Sequence, residues 1–364
     1  MFRSLLALLL TAALLLALSP AHATDKEELR RQLAEHSIRA LGYWGEAWNK
    51  NELTARLGAA PLALLDYLRT DNELNGFPGI PEAAAPTPEF TTALHQTFAA
   101  LPAPVQRLFT TRLIGIFLVT KLGSTGFCES VRDASGQERF AFIVLDRDEL
   151  ISRTANSWAT WKENTVFAPD TPGPAVRVLI ESGPDDTTVN AIRFILLHEF
   201  GHAAGLLSKA VPPWSVDLNA ISLLAYPFTL LSWSQAVGVV QSRFEEMFPE
   251  RGIITFYQPE RGLARERALA VYAGLQRTNY PSLQAAVNLQ EDFAESFATY
   301  IHVVREKRPW QVLLEPEDAA PIPVTSCWRT NRCREKARYM EKWFANPMAP
   351  RYQSRLLPLD GPED

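Results

Sequence analysis

The chain has 364 residues, 47% of them hydrophobic and 21% charged, with 36 Lys and Arg against 41 Asp and Glu. That length buries one large core or two smaller ones without disulfide or metal staples, which excludes a small stapled scaffold. The net charge of −5 lacks the basic excess that phosphate-backbone binding needs, and the apolar fraction is too high for a disordered chain, so no nucleic acid is expected as partner.

Arg3 precedes an uncharged stretch whose centre, Leu5 to Leu18, is nearly all Leu and Ala, and the small-x-small triplet Ala21-His22-Ala23 follows. Residues 1–23 read as a cleaved signal peptide, because the apolar centre is shorter than the ~20 residues that span a bilayer. The protein is therefore expected to be exported, periplasmic or secreted, with an uncleaved membrane anchor as the alternative. Residues 24–135 read as a helical N-terminal region, in which Leu29, Leu33, Ile38 and Leu41 recur at helical spacing. Pro78, Pro81, Pro86 and Pro88 mark a linker or long loop, and a helix is expected from Pro104 to Lys121 before the breaks at Gly123, Gly126 and Gly136. Arg139 to Asp146 and Val176 to Ile180 read as strands, and Asn156-Ser157-Trp158 with Thr165-Val166-Phe167 as the arms of an exposed hairpin.

Ile192 to Leu207 is a strongly apolar helical stretch that carries His198-Glu199-Phe200-Gly201-His202. Four residues make just over one helical turn, so the two imidazoles converge on one face with Glu199 beside them. Two neutral imidazoles can hold Zn2+, and the adjacent carboxylate can take the proton of a zinc-bound water. The bland alternative is a buried helix with two satisfied histidines, although such groups are costly on an apolar helix unless something pairs them.

A third ligand is needed. Three residues past Gly205, where a metzincin carries its third histidine, this chain has Ser208. Downstream, the segment from Asn288 to Phe297 places Glu291 and Glu295 four apart on one helical face. This resembles the second helix of the gluzincins, the thermolysin-like and lethal-factor-like metallopeptidases, and the resemblance covers residues 139–305. It implies Glu291 as the third zinc ligand and Glu295 as the carboxylate that orients a ligand histidine. His302 lies ~16 Å further along that helix axis, too far to share the metal with Glu291. Asp292 points away by roughly 100°, His36 and His95 read as solvated or core histidines, and a solvated face is the alternative for Glu291 and Glu295.

The resemblance also implies an α+β fold: a zincin-like catalytic region with a small mixed sheet and active-site helix, then a mainly helical lower subdomain. The region is expected over 136–310, with an apolar insert at 211–250. Its substrate-pairing edge strand is placed at Ala155 to Thr160 or Asn164 to Phe167. Gluzincins use a Tyr or His near the third ligand to stabilise the oxyanion; Tyr280 is the first choice, Tyr257 and Tyr300 compete, and each has a core reading.

Leu218 to Ser242 carries no charge but contains Pro227, so a buried helical pair or an apolar flap with possible peripheral membrane contact is expected rather than a spanning helix. Residues 311–364 form a C-terminal extension with a possible Cys327-Cys333 disulfide and a basic run, Arg329, Arg332, Arg334, Lys336 and Arg338, expected on a solvated helix. The expected function is zinc-dependent hydrolysis of a peptide or protein substrate, with Glu199 as the acid-base residue. The alternatives are a non-catalytic envelope protein with a structural zinc site, or a peptidase of peptidoglycan cross-links.

Overall fold

The computed structural model describes residues 20–349 except 47, 48, 50, 51, 237, 259 and 261. The expected signal peptide lies, up to residue 19, outside the described residues. The fold is mixed α+β.

The main sheet contains β1 (Leu57–Ala59), β2 (Glu82–Ala83), β3 (Leu113–Thr120), β4 (Gly126–Arg132) and β5 (Glu138–Asp146), in the order β1-β3-β5-β4. β1, β3 and β5 run parallel, β2 pairs with the end of β3, and β4 returns antiparallel along β5 as the edge. Side chains alternate along β5. Ala141, Ile143 and Leu145 enter the larger core, while Phe142 and Val144 pack on the other face against Leu64, Tyr67 and Leu68 of the helix Leu62–Asn75. With helices on both faces, the inner strands are apolar almost throughout.

That burial explains one departure from expectation. The helix foreseen from Pro104 to Lys121 ends at Arg112, and its second half is β3. An unbroken apolar run has no period to distinguish a buried helix from a doubly covered strand. The 135/136 boundary likewise divides a hairpin: β4 and β5 pair across it, and the expected helical N-terminal region supplies four strands of the sheet.

The expected exposed hairpin at 156–167 is instead the helix Ala155–Asn164 and the turn that follows it. Thr154 and Ser157 form a capping box at its start, and Ala155, Trp158, Ala159 and Lys162 form its buried stripe. Neither proposed position of the substrate-pairing edge, Ala155 to Thr160 or Asn164 to Phe167, is a strand; the main sheet ends in β4 on the side of β5.

A second, antiparallel sheet contains β6 (Ala175–Leu179), β9 (Gln311–Glu315) and β10 (Ile322–Thr325), ordered β10-β9-β6. Between β6 and β9 in sequence comes the motif helix Thr188–Leu207, capped by the Thr187 hydroxyl, which accepts from the Asn190 amide. It packs on β4 and β5, on the helix Pro88–Ala100 and on the helix Leu289–Thr299, and so is buried all round.

The uncharged segment 218–242 is no helical pair. It forms three short turns and the hairpin β7 (Trp233–Ala236) and β8 (Val239–Ser242), tied by the Gln235 side chain to Leu218, Ile221 and Leu223. Leu223, Phe228 and Trp233 point inward, whereas Leu224 and Val239 are exposed. No described helix is long and apolar enough to cross a membrane. Cys327 and Cys333 form a disulfide, and Cys128 is unpaired. Of the basic run, Lys336 is buried and Arg332 donates to the carbonyls of Leu275, Thr278 and Thr325, so that helix is not solvated throughout.

Candidate metal centre

Where the motif helix crosses the helix Leu289–Thr299, the residue of contact is Gly201. A Cβ there would lie 2.7 Å from both Cα and O of Ala294, so only glycine permits this approach. The two backbones come close enough for His198 and His202 on one helix to meet Glu291 and Glu295 on the other.

Glu291 stands in the first helical turn, three residues after Asn288, whose side-chain oxygen accepts from the Glu291 amide at 2.8 Å. A carboxylate at a helix N-terminus is favoured by the exposed amide dipoles. The two Nε2 atoms of His198 and His202 are 3.1 Å apart, and each is 3.4 Å from a Glu291 oxygen. Ligands held ~2.0–2.1 Å from a tetrahedral ion sit about 3.3–3.4 Å from one another, so these three donors are spaced as zinc would hold them. Glu291 Oε2 is buried without a hydrogen-bond partner among the described residues. Burial pushes the Glu291 pKa up, but the imidazoles of His202 and His198 outweigh it and hold the carboxyl below its ordinary range. Burial likewise pushes the His202 pKa down, but Glu291 more than offsets this and the net shift is upward. Two imidazole nitrogens and a carboxylate facing one point form a donor set suited to a divalent cation.

Behind His198, Glu295 Oε1 lies 2.8 Å from Nδ1 and 3.2 Å from the Lys162 ammonium, while Oε2 accepts from Ser282 Oγ at 2.6 Å. Glu295 is fully buried, yet Lys162 and His198 overcome desolvation and keep its pKa far below the carboxylate norm. Lys162, raised to about 12, overcomes its own desolvation through Glu295 and Tyr257. His198 is thus fixed from behind by a charged pair. The Nδ1 of His202 has no hydrogen-bond partner among the described residues, and the Trp214 ring stands 5.7 Å from the imidazole.

Glu199 faces the same space from the other side. Its Oε2 is buried and unpartnered, and burial raises its pKa. It leans on β4: a Cβ on Gly126 would lie 2.7 Å from the Glu199 carboxyl carbon, so the carboxylate occupies the place of a side chain on the edge strand.

These groups open on a cleft of about 480 Å³, bordered by Gly126 to Glu129 of β4 and by Asp71, Phe77, Trp214, Tyr257 and Gln284. The described residues lining it include no Lys or Arg.

Tyr280 is not among them, which corrects its assignment as oxyanion donor. It is fully buried, with its hydroxyl 2.8 Å from Ser242 Oγ and 3.4 Å from the Ser232 carbonyl. Counting back from Glu291 fails here because the helix begins only at Leu289, and a turn at Gln284–Ala286 separates the two residues. Tyr300 packs against Trp328 and Phe344. The tyrosine at the cleft is Tyr257, its hydroxyl 3.1 Å from Thr125 Oγ1 and its pKa raised to about 12 by burial. It sits at φ +62°, a left-handed conformation costing a bulky residue ~1–2 kcal/mol.

The remaining candidates lie elsewhere. Asp292 is turned away from the metal donors and forms a buried ion pair with Lys336, also accepting from Trp233 Nε1 at 3.2 Å. His302 Nε2 lies 2.7 Å from the Ile180 carbonyl, and burial lowers its pKa to about 3. His36 caps a short turn and His95 lies on the exposed side of its helix. Reading the sequence passed over Lys162, Ser282, Gly126 and Gln284; of these only Lys162, a charge within an apolar stripe, carried a signal. No family model, characterised protein or solved structure matches the chain.

Proposed function

We propose that the protein is an exported zinc-dependent peptidase of gluzincin type, with a zincin-like catalytic region. The observation that carries this reading is the convergence of His198, His202 and Glu291 at metal-ligand spacing beside the unpartnered carboxylate of Glu199, on an open cleft. Zinc held by those three residues supplies a Lewis acid that polarises the attacking water and the scissile carbonyl. Glu199, its pKa raised by burial, takes the proton of the water and passes it to the leaving amine. Glu295, with Lys162 behind it, holds the His198 ring in the orientation that presents Nε2. Tyr257, not Tyr280, is the tyrosine whose hydroxyl borders the cleft where a substrate would lie. β4 offers its outer edge to an extended substrate backbone, in place of the segments 155–160 and 164–167. Glu129 is offset by the Arg39 guanidinium 3.6 Å behind it, whereas Asp71 borders the cleft with no basic side chain among the described lining residues and favours substrates bearing a cationic group. The leader-like residues 1–23 support export.

Purified protein is expected to carry one zinc per chain, and Glu199→Gln to keep the metal while losing ~10²–10⁴-fold in turnover of a peptide. Metal content well below stoichiometry, or undiminished hydrolysis by the variant, overturns the reading.

A further inference from the structure

Gln284 is a polar side chain of the cleft, next to His198, that the peptidase reading leaves without a task. It opens the turn Gln284–Ala286 and borders the cleft together with His198 and Glu291. The turn is pinned by Ser282, whose hydroxyl accepts from the Ala285 amide at 3.1 Å while donating to Glu295, so Gln284 is held by the same buried network that holds His198. Its Nε2 is 3.5 Å from His198 Nε2, and its Oε1 is buried with no hydrogen-bond partner among the described residues. Once the His198 lone pair is committed to a metal ion, the carboxamide N–H loses that acceptor. No other protein acceptor among the described residues is given to it. Once a bound substrate displaces water from the cleft, that donor needs a new acceptor, and the oxygen of the substrate carbonyl is the one the cleft can supply.

Resting on the peptidase reading, we propose that Gln284 is a catalytic residue whose Nε2–H donates to the substrate carbonyl oxygen as that oxygen gains negative charge. A neutral amide suits this position beside Glu199 and Glu291: it donates without adding a charge that would pair with either carboxylate, and it does not titrate. Its place before the cap of the helix bearing Glu291 fixes it relative to a metal ligand. The Tyr257 hydroxyl is the competing donor, but it is already within hydrogen-bond distance of Thr125.

The test compares zinc-loaded wild type with Gln284→Met, which keeps the length and removes the donor, and Gln284→Ala. Three quantities are measured: peptide kcat and KM, binding of a peptide phosphonate that presents a charged tetrahedral oxygen, and zinc affinity by chelator competition. We expect kcat to fall ~10²-fold or more with KM little changed, phosphonate binding to weaken by a comparable factor, and zinc affinity to stay as in wild type. A 10–100-fold loss of zinc affinity overturns the proposal by making Gln284 a support of the metal site instead of a donor to the substrate. Unchanged kcat and phosphonate binding also overturn it, and then Tyr257→Phe should carry the loss. A wild type that binds zinc and phosphonate but cleaves no peptide sinks the peptidase reading alone, since phosphonate binding still reports on the donor.

Discussion

Glu199 is held in place by what is missing at residue 126. The carboxylate fills the volume a Cβ would take on β4, so Gly126→Ala must push it away from the metal donors without touching His198, His202 or Glu291. Displacing a general base by about 1 Å costs on the order of 10²-fold. Gly126→Ala is therefore expected to lower kcat by that factor at unchanged zinc content, measured by turnover and metal analysis on one sample; wild-type kcat would refute this placement of Glu199. At this scale the metal donors on the motif helix were legible because helix pitch alone brings residues four apart together. Glu291 and Glu295 were legible for the same reason on their own helix. Gly126, Lys162 and Gln284 were not, since their roles come from other segments packing against those helices. Tyr280 misled because distance along a chain equals distance in space only inside one element, and it lies outside the helix of Glu291.

The same limit governs elements. A helix whose apolar face repeats every three or four residues shows itself in the sequence. β3 did not, because burial on both faces removes the alternation. Among helices, Arg334–Ala345 is joined to Leu289–Thr299 by the Lys336–Asp292 pair, both ends of which are fully buried and which lies against the rings of Phe228 and Tyr280. Burial raises the Asp292 pKa and lowers that of Lys336, each partly countered by the other. Removing one member leaves an uncompensated buried charge, so Lys336→Met is expected to cost ~3–5 kcal/mol in urea unfolding. Asp292→Leu combined with Lys336→Met should recover much of that loss, whereas single costs that simply add in the double variant would show the two charges to be uncoupled.

For the molecule as a whole, pH acts at two places. His302 is buried beside Arg193 and Arg308, and its pKa falls from the usual ~6.5 to about 3. Between those values the unfolded chain binds a proton that the folded chain refuses, so the contribution of the neutral ring is complete above pH ~6.5 and is lost as pH falls toward 3. The loss approaches about 5 kcal/mol, and His302→Gln should flatten the stability profile over that range; parallel profiles would exclude the effect. In the cleft, burial and the neighbouring Glu129 raise the Asp71 pKa to about 6. Preference for a lysine-bearing over a glutamate-bearing peptide should therefore grow about tenfold as pH rises through 6, one charge contact being worth ~1–1.4 kcal/mol. Asp71→Asn should remove that rise, and a preference indifferent to both pH and this change would separate Asp71 from the substrate.

The edge strand β4 has one further consequence. Unpaired N–H and C=O groups that can receive a substrate strand can equally receive the β4 of a second molecule, the common route by which open sheets stick together. Two such edges meeting would bring the Asp71 that borders each cleft toward its counterpart, like charge against like. The acidity that favours a cationic substrate would also hold the molecules apart in a crowded solution.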